Sequence, residues 1–132
     1  MKAARILSKS LILILLAAVL FLLFGVPAVN DLTAVRVKDA LCALPLPEQT
    51  ERIDAVAKAG KLVGNGNGMQ FFGAILIKSE LSEQELAAFY RPFAASEWSC
   101  QVVRQISPRI ESIELDTVSF KAFPDSGSYY RV

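Results

Sequence analysis

Histidine is missing from the 132 residues of this chain. Its absence removes the Ser–His–Asp and Cys–His arrangements that activate a nucleophile. With only two cysteines, Cys42 and Cys100, the chain also lacks the ligands to complete a zinc shell. No metal and no cofactor is expected. An excess of either charge is missing too: 14 basic and 13 acidic residues nearly cancel and are interspersed, which excludes the basic footprint of a nucleic-acid binder. There is one tryptophan, Trp98, and neither an internal repeat nor a low-complexity tract. By residue type, catalysis retains only carboxylates, in Glu48, Glu51 and Asp54 or in Glu111, Glu114 and Asp116, and the neighbours Lys78 and Ser79. The carboxylates have the spacing of solvated strand faces, and adjacent strand residues such as Lys78 and Ser79 point to opposite sides.

Against those absences stands a long apolar run. Hydrophobic residues make up 53% of the chain, and between Ser10 and Val29 there is no charge. A helix needs about 20 such residues to cross roughly 30 Å of hydrocarbon. Lys2, Arg5 and Lys9 precede the run without an acidic residue, whereas Asp31, Arg36, Lys38 and Asp39 follow it, and this bias sets the N-terminus inside. The expected organisation is a cytoplasmic basic N-terminus at 1–9, a transmembrane signal anchor at 10–29 in contact with membrane lipid, a stalk at 30–47 and an extracytoplasmic domain at 48–132. A cleaved secretory signal is the alternative, since Val26 and Ala28 resemble a processing site. The apolar run exceeds the usual signal core of about 7–15 residues, and Pro27 separates the two small residues, so the anchor is preferred. Cys42 lies too far past the run to take a lipid at processing. A buried core helix of this apolarity would require more surrounding structure than about 100 residues provide.

Pro45 and Pro47 halt any helix and mark the start of the domain. Glu48 to Val56 reads as a first strand. Met69 to Ile77, apolar and rich in aromatic and branched residues, reads as a central one. Ser82 and Glu85 form a capping box, Leu81 and Leu86 a hydrophobic staple, and Leu86, Phe89, Tyr90 and Phe93 one apolar face of a helix over about 83–91 that Pro92 ends. Cys100–Ile106, Ile113–Phe123 with a bulge or turn at Asp116–Thr117, and Ser128–Val132 read as three more strands. The fold class that follows is α+β: an N-terminal transmembrane helix, then a small antiparallel sheet of about four to five strands with one helix packed on it.

The run Gly64, Asn65, Gly66, Asn67, Gly68 invites an anion-binding reading, because successive backbone N–H groups can cradle a phosphate. It enters a strand rather than a helix and matches neither known phosphate-loop pattern, so a hairpin is the preferred assignment. In an oxidising compartment Cys42 and Cys100 can pair, which would stabilise the fold by about 4 kcal/mol in the chain-entropy account; two free thiols are the alternative. Trp98, Phe123, Tyr129 and Tyr130 suit core packing or a protein-binding patch. The closing strand, if it lies at a sheet edge, can accept a partner strand. The functional expectation is a non-catalytic binding module on a membrane anchor, with another protein or a cell-envelope component as the partner of the domain. A small ligand-binding or enzymatic domain using the Gly64–Gly68 loop is the second reading, and a secreted protein after signal cleavage the third.

Overall fold

The computed structural model describes residues 2–66, 68–94, 100–124 and 126–132, with side chains from Lys9 onward. Asn67 and Trp98 lie outside the described residues. One helix runs from Lys2 to Cys42 in three parts: α1 (Lys2–Leu20), a π-helical turn (Phe21–Gly25) and α2 (Val26–Cys42). The wide turn has a local cause. Pro27 has no N–H to offer the carbonyl one turn behind it, and widening the preceding turn lets the ring be accommodated without breaking the helix. From Leu11 to Phe24 the large apolar side chains are exposed. The helix from Lys9 is long and apolar enough to cross a membrane.

Past the apolar run the helix does not detach from the domain. Ala34 and Leu41 are buried and Val37 and Lys38 half-buried, a stripe at i, i+3, i+4 and i+7 that lies on the sheet. The segment expected as a stalk is therefore helical as far as Cys42, with its last two turns packed against strands. Arg52 closes the helix end by donating from Nη1 to the Cys42 carbonyl at 2.6 Å.

Four antiparallel strands form the sheet: β1 (Thr50–Gly60), β2 (Gln70–Ser79), β3 (Val103–Gln105) and β4 (Tyr129–Arg131), in the order β1-β2-β4-β3. This is the α+β layout expected, with β2 in the interior of the sheet. The helix α3 (Glu83–Tyr90) begins at Ser82 with both arms of the capping box in place. A single 3-10 turn over Arg91–Phe93 carries Pro92.

The strands separate two cores. On one face Ile75, Ile77, Tyr130 and Val132 meet Leu41 of α2 and Leu86 and Tyr90 of α3. On the other, Ala74, Leu76 and Tyr129 meet Leu62, Ile110, Ile113, Val118 and Phe120. This two-sided burial explains why Ile75, Leu76 and Ile77 read as an uninterrupted apolar run. Each such fully buried side chain contributes about 1.5–3 kcal/mol.

Two strand expectations require correction. Residues 113–123 form no strand: among the described residues the one pairing there is an isolated bridge between Arg109 and Ser119. The segment covers the second core as an irregular layer, and its N–H groups go elsewhere. Those of Glu114 and Leu115 both reach the Leu62 carbonyl at 3.1 and 3.0 Å, and that of Phe120 reaches the Pro108 carbonyl at 2.9 Å. Of the bulge or turn expected at Asp116–Thr117, the structure shows a bend at Leu115 and Asp116, and the sheet's own register shift lies in β1, between Arg52 and Asp54. The closing strand is also no edge. β4 is flanked by β2 and β3, because three residues sharing Tyr129 and Tyr130 with both cores are more favourably placed inside the sheet.

One glycine sets the distance between helix and sheet. A Cβ on Gly73 would stand 2.6 Å from the backbone nitrogen of Lys38 and 2.8 Å from its Cα, so α2 crosses β2 at backbone contact. Gly73→Ala is expected to cost about 3 kcal/mol through overpacking that no rotamer relieves, and to lower Tm by roughly 10 °C or more. Gly66→Ala, where a Cβ meets nothing within 4 Å, is the matched control and should leave Tm within about 3 °C. Thermal unfolding of the full chain in detergent reads both. The Tyr90 hydroxyl is buried without a hydrogen-bond partner among the described residues, and burial pushes its pKa up to about 12. Tyr90→Phe is expected to hold or raise Tm in the same assay, since it removes an unsatisfied polar group.

Candidate functional site

β2 is paired over different lengths on its two sides. β2 pairs with β1 along its whole span, from Thr50 opposite Ser79 to Gly60 opposite Gln70. On its other side, β4 covers only the far half. Pairing there ends where Ile75 and Val132 exchange both backbone hydrogen bonds at 3.1 Å. Hydrogen-bonding direction alternates along a strand, so the groups of Phe71 and Gly73 point the same way as those of Ile75. Among the described residues they meet no partner strand on that side.

A cleft of about 710 Å³ occupies this place. Phe71 to Ala74 form one wall, and Cys100 and Gln101, leading into β3, stand across from them. Val37 and Leu41 of α2 close it above, while Ile113, Ser112 and Arg131 lie below. Among the described residues of the lining, Arg131 is the one with a charged side chain. Its residue is 8% exposed, burial lowers its pKa, and Nη1 donates to the Ser112 hydroxyl at 3.0 Å. Neither a carboxylate partner for Arg131 nor any acidic residue in the cleft is found among the described residues.

The glycine-rich loop is elsewhere. Residues 61–69 connect the antiparallel strands β1 and β2, and Gly64, Asn65, Gly66 and Gly68 are exposed at its tip. Gly64 has φ +72°, a conformation that a side chain resists. Gln70 fastens the base of the loop: its Oε1 accepts from the N–H groups of Leu62 and Val63 at 2.8 and 2.9 Å, and its Nε2 donates to the Val63 carbonyl at 3.2 Å. Gly64, Gly66 and Gly68 do not border the cleft.

Cys42 and Cys100 are both free, half-buried thiols at the margin of the same apolar cluster, and burial pushes the Cys100 pKa up. The carboxylates carry the architecture. Asp54 Oδ2 accepts from the N–H groups of Lys121 and Ala122 at 2.6 and 2.9 Å, and Oδ1 from that of Ala55 at 2.8 Å. Asp116 pairs with Lys58 at 2.8 Å. Glu83 Oε2 accepts from the outward N–H of Arg104 at 3.1 Å, so it covers the outer edge of β3. Ser79 is buried and bonded to Thr50 at 2.7 Å, while Lys78 faces solvent. Of the aromatic residues singled out from sequence, Tyr129, Tyr130 and Phe123 pack in the two cores.

The cleft was invisible from sequence because its walls come from segments distant in the chain, around Val37, Phe72, Cys100, Ile113 and Arg131. One residue signal did exist: a charged residue, Arg131, inside an otherwise apolar closing strand. Comparison with protein-family models, curated proteins and solved structures returned no match.

Asp54 supplies a prediction. Burial alone would raise its pKa, but the N–H groups of Ala122, Ala55 and Lys121, with the nearby Lys121 charge, hold it below the ordinary carboxylate value. A depressed folded pKa contributes stability that is fully present above the unfolded value and is lost as pH falls through the folded one. Asp54→Ala is therefore expected to cost about 1–3 kcal/mol at neutral pH. Its deficit relative to wild type should shrink only below the usual carboxylate range, as measured by denaturant unfolding across acidic pH.

Proposed function

We propose that this chain is a single-pass membrane protein whose small extracytoplasmic domain binds another protein without catalysing a reaction. One observation carries the reading. The apolar helix is fully exposed along the stretch able to cross a membrane, and the same helix continues into the domain as one wall of its cleft. Exposed leucines and phenylalanines at this density find a favourable environment in hydrocarbon and an unfavourable one in water. The basic residues before the run favour an inside N-terminus, which leaves residues 48–132 outside.

Three features support an uncleaved anchor. The apolar run exceeds a usual signal core, and Val26, Pro27 and Ala28 lie inside continuous helix rather than in an exposed loop. The buried stripe begins at Ala34, close behind them, so the chain after the run is committed to the fold. Support for a binding role without chemistry is the absence of histidine together with the occupation of Asp54 and Asp116, two of the candidate carboxylates, in backbone and side-chain bonds.

Alkaline carbonate extraction followed by mass measurement tests the anchor. The expected result is an intact chain of 14.4 kDa in the membrane pellet, cleaved by protease added to the outside. A shorter product in the soluble fraction would replace the anchor reading with the secreted one. A photo-crosslinking residue placed in turn at several exposed positions of the domain tests binding in the native membrane. Adducts to a specific protein are expected, and their absence at every position would overturn the binding role.

A further inference from the structure

We infer that the tip of the β1–β2 hairpin is a second membrane contact, in which exposed apolar side chains rest in the headgroup and upper acyl region of the bilayer that holds the anchor; the inference rests on the anchor proposed above and goes beyond the binding role. Its basis is the direction in which α2 crosses the sheet, and two contacts fix that direction. Cys42, at the end of α2, receives Arg52, which stands opposite Ile77 in the sheet. One turn nearer the apolar run, Lys38 stands over Gly73. Following the helix toward the membrane therefore follows β2 from Ile77 toward Gln70, so the loop that joins β1 to β2 lies at the membrane end of the domain.

The heights agree. Nine residues of helix separate Lys38 from Val29, the last residue of the apolar run, which is about 13 Å at 1.5 Å per residue. Four residues of extended chain lead from Gly73 back to Met69, also about 13 Å at 3.4 Å per residue. The angle between strand and helix takes away part of that length, and the loop beyond the Gly60–Gln70 pair restores it. Asn30 and Thr33 are half-buried and Ala34 is buried, so α2 is covered almost to the end of the apolar run, and β1 and β2 are the strands it packs on.

The side chains gathered at this end suit a lipid boundary. Val63, Met69 and Phe71 are 40%, 50% and 40% exposed. Alternation puts Phe71 on the α2 face of β2 with Gly73 and Ile75, on the membrane side of both. Leu115, 52% exposed, joins them, because its N–H and that of Glu114 bond the Leu62 carbonyl at the base of the loop. The three bonds from Gln70 to Leu62 and Val63 hold that base in place. Residues 62–70 carry no charge; Lys61 and Glu114 at the base offset each other, and Lys58 is paired with Asp116. The contact is therefore made by apolar side chains entering the acyl boundary, and not by attraction to anionic headgroups.

The test uses the full chain in phosphatidylcholine nanodiscs, with an encoded dansylalanine at one position at a time and a share of the lipid carrying a nitroxide near the headgroup end of an acyl chain. Phe24, in the apolar run, is the positive reference. Ile106 is the negative one: it is 84% exposed, and it follows Gln105, which is level with Lys78 at the opposite end of the sheet from the loop. The probe at Met69 is expected to lose about half its emission, as at Phe24, while the probe at Ile106 keeps its own. Met69→Asp, with the probe at Val63, should reduce quenching there about twofold or more while Tm stays within about 3 °C, since both positions are exposed. Leu115→Asp repeats the test from a different segment. Quenching at Phe24 with Met69 behaving as Ile106 does would overturn this inference and leave the anchor standing, whereas an unquenched Phe24 would overturn the anchor and the hairpin contact together. Quenching at Val63 that both aspartate variants leave unchanged, or quenching at Met69 that needs phosphatidylglycerol and disappears in high salt, would overturn the apolar contact.

Discussion

Contact between two backbones, α2 and β2 at Gly73, is the constraint on which the rest of the domain depends. Helices normally stand off a sheet by the length of their side chains. Here the missing Cβ lets Lys38 of α2 approach to where a methyl group would lie at 2.6 Å. That closeness brings Ala34, Val37 and Leu41 down onto Ile75 and its neighbours, and it lets Arg52 reach the carbonyl of Cys42. It also explains why a residue as small as Ala34 can be fully buried at a helix–sheet contact: little space is left to fill.

Fixing α2 on one face leaves the other face of β2 to be covered by something else, and the chain uses an irregular layer. Residues 108–123 contribute Ile110, Ile113, Val118 and Phe120 to the core, yet their backbone has few strand partners. Their N–H groups are satisfied one by one, by the Leu62 carbonyl, by Pro108 and by the Asp54 carboxylate. Buried backbone polar groups cost too much to leave unpaired, so an irregular layer needs such fixed acceptors. The bulge in β1 that turns Asp54 toward Lys121 and Ala122 is part of the same solution.

Elements specified by local chemistry were legible from the residues. Ser82, Glu85 and the 86/89/90/93 face define α3 without reference to the rest of the chain, and the run before Ile77 announces a strand buried on both sides. What could not be read depends on contacts distant in sequence. The alternation of Val118 and Phe120 is real burial, but alternation does not distinguish a paired strand from a covering loop. The Ala34, Val37, Lys38, Leu41 stripe was present and obscured by its lysine, whose stem is half-buried while Nζ reaches Asp39. The cleft is walled by α2, by β2 and by segments far from both in the chain, a meeting that no local pattern encodes. The glycine-rich run drew notice because of its composition, and composition specifies a loop without specifying a site.

The helix links anchor and cleft more tightly than a flexible tether would. Val37 and Leu41 wall the cleft, and Val29 ends the apolar run on the same helix. At 1.5 Å per residue, eight residues place Val37 about 12 Å beyond the end of that run. A domain on a flexible stalk would sample many heights and orientations above a bilayer. With the anchor proposed above, this cleft instead keeps a fixed height close to the headgroups, turned by the direction of α2. Under that proposal a protein partner of the domain must itself lie at the membrane surface, which restricts encounters before any side chain is read.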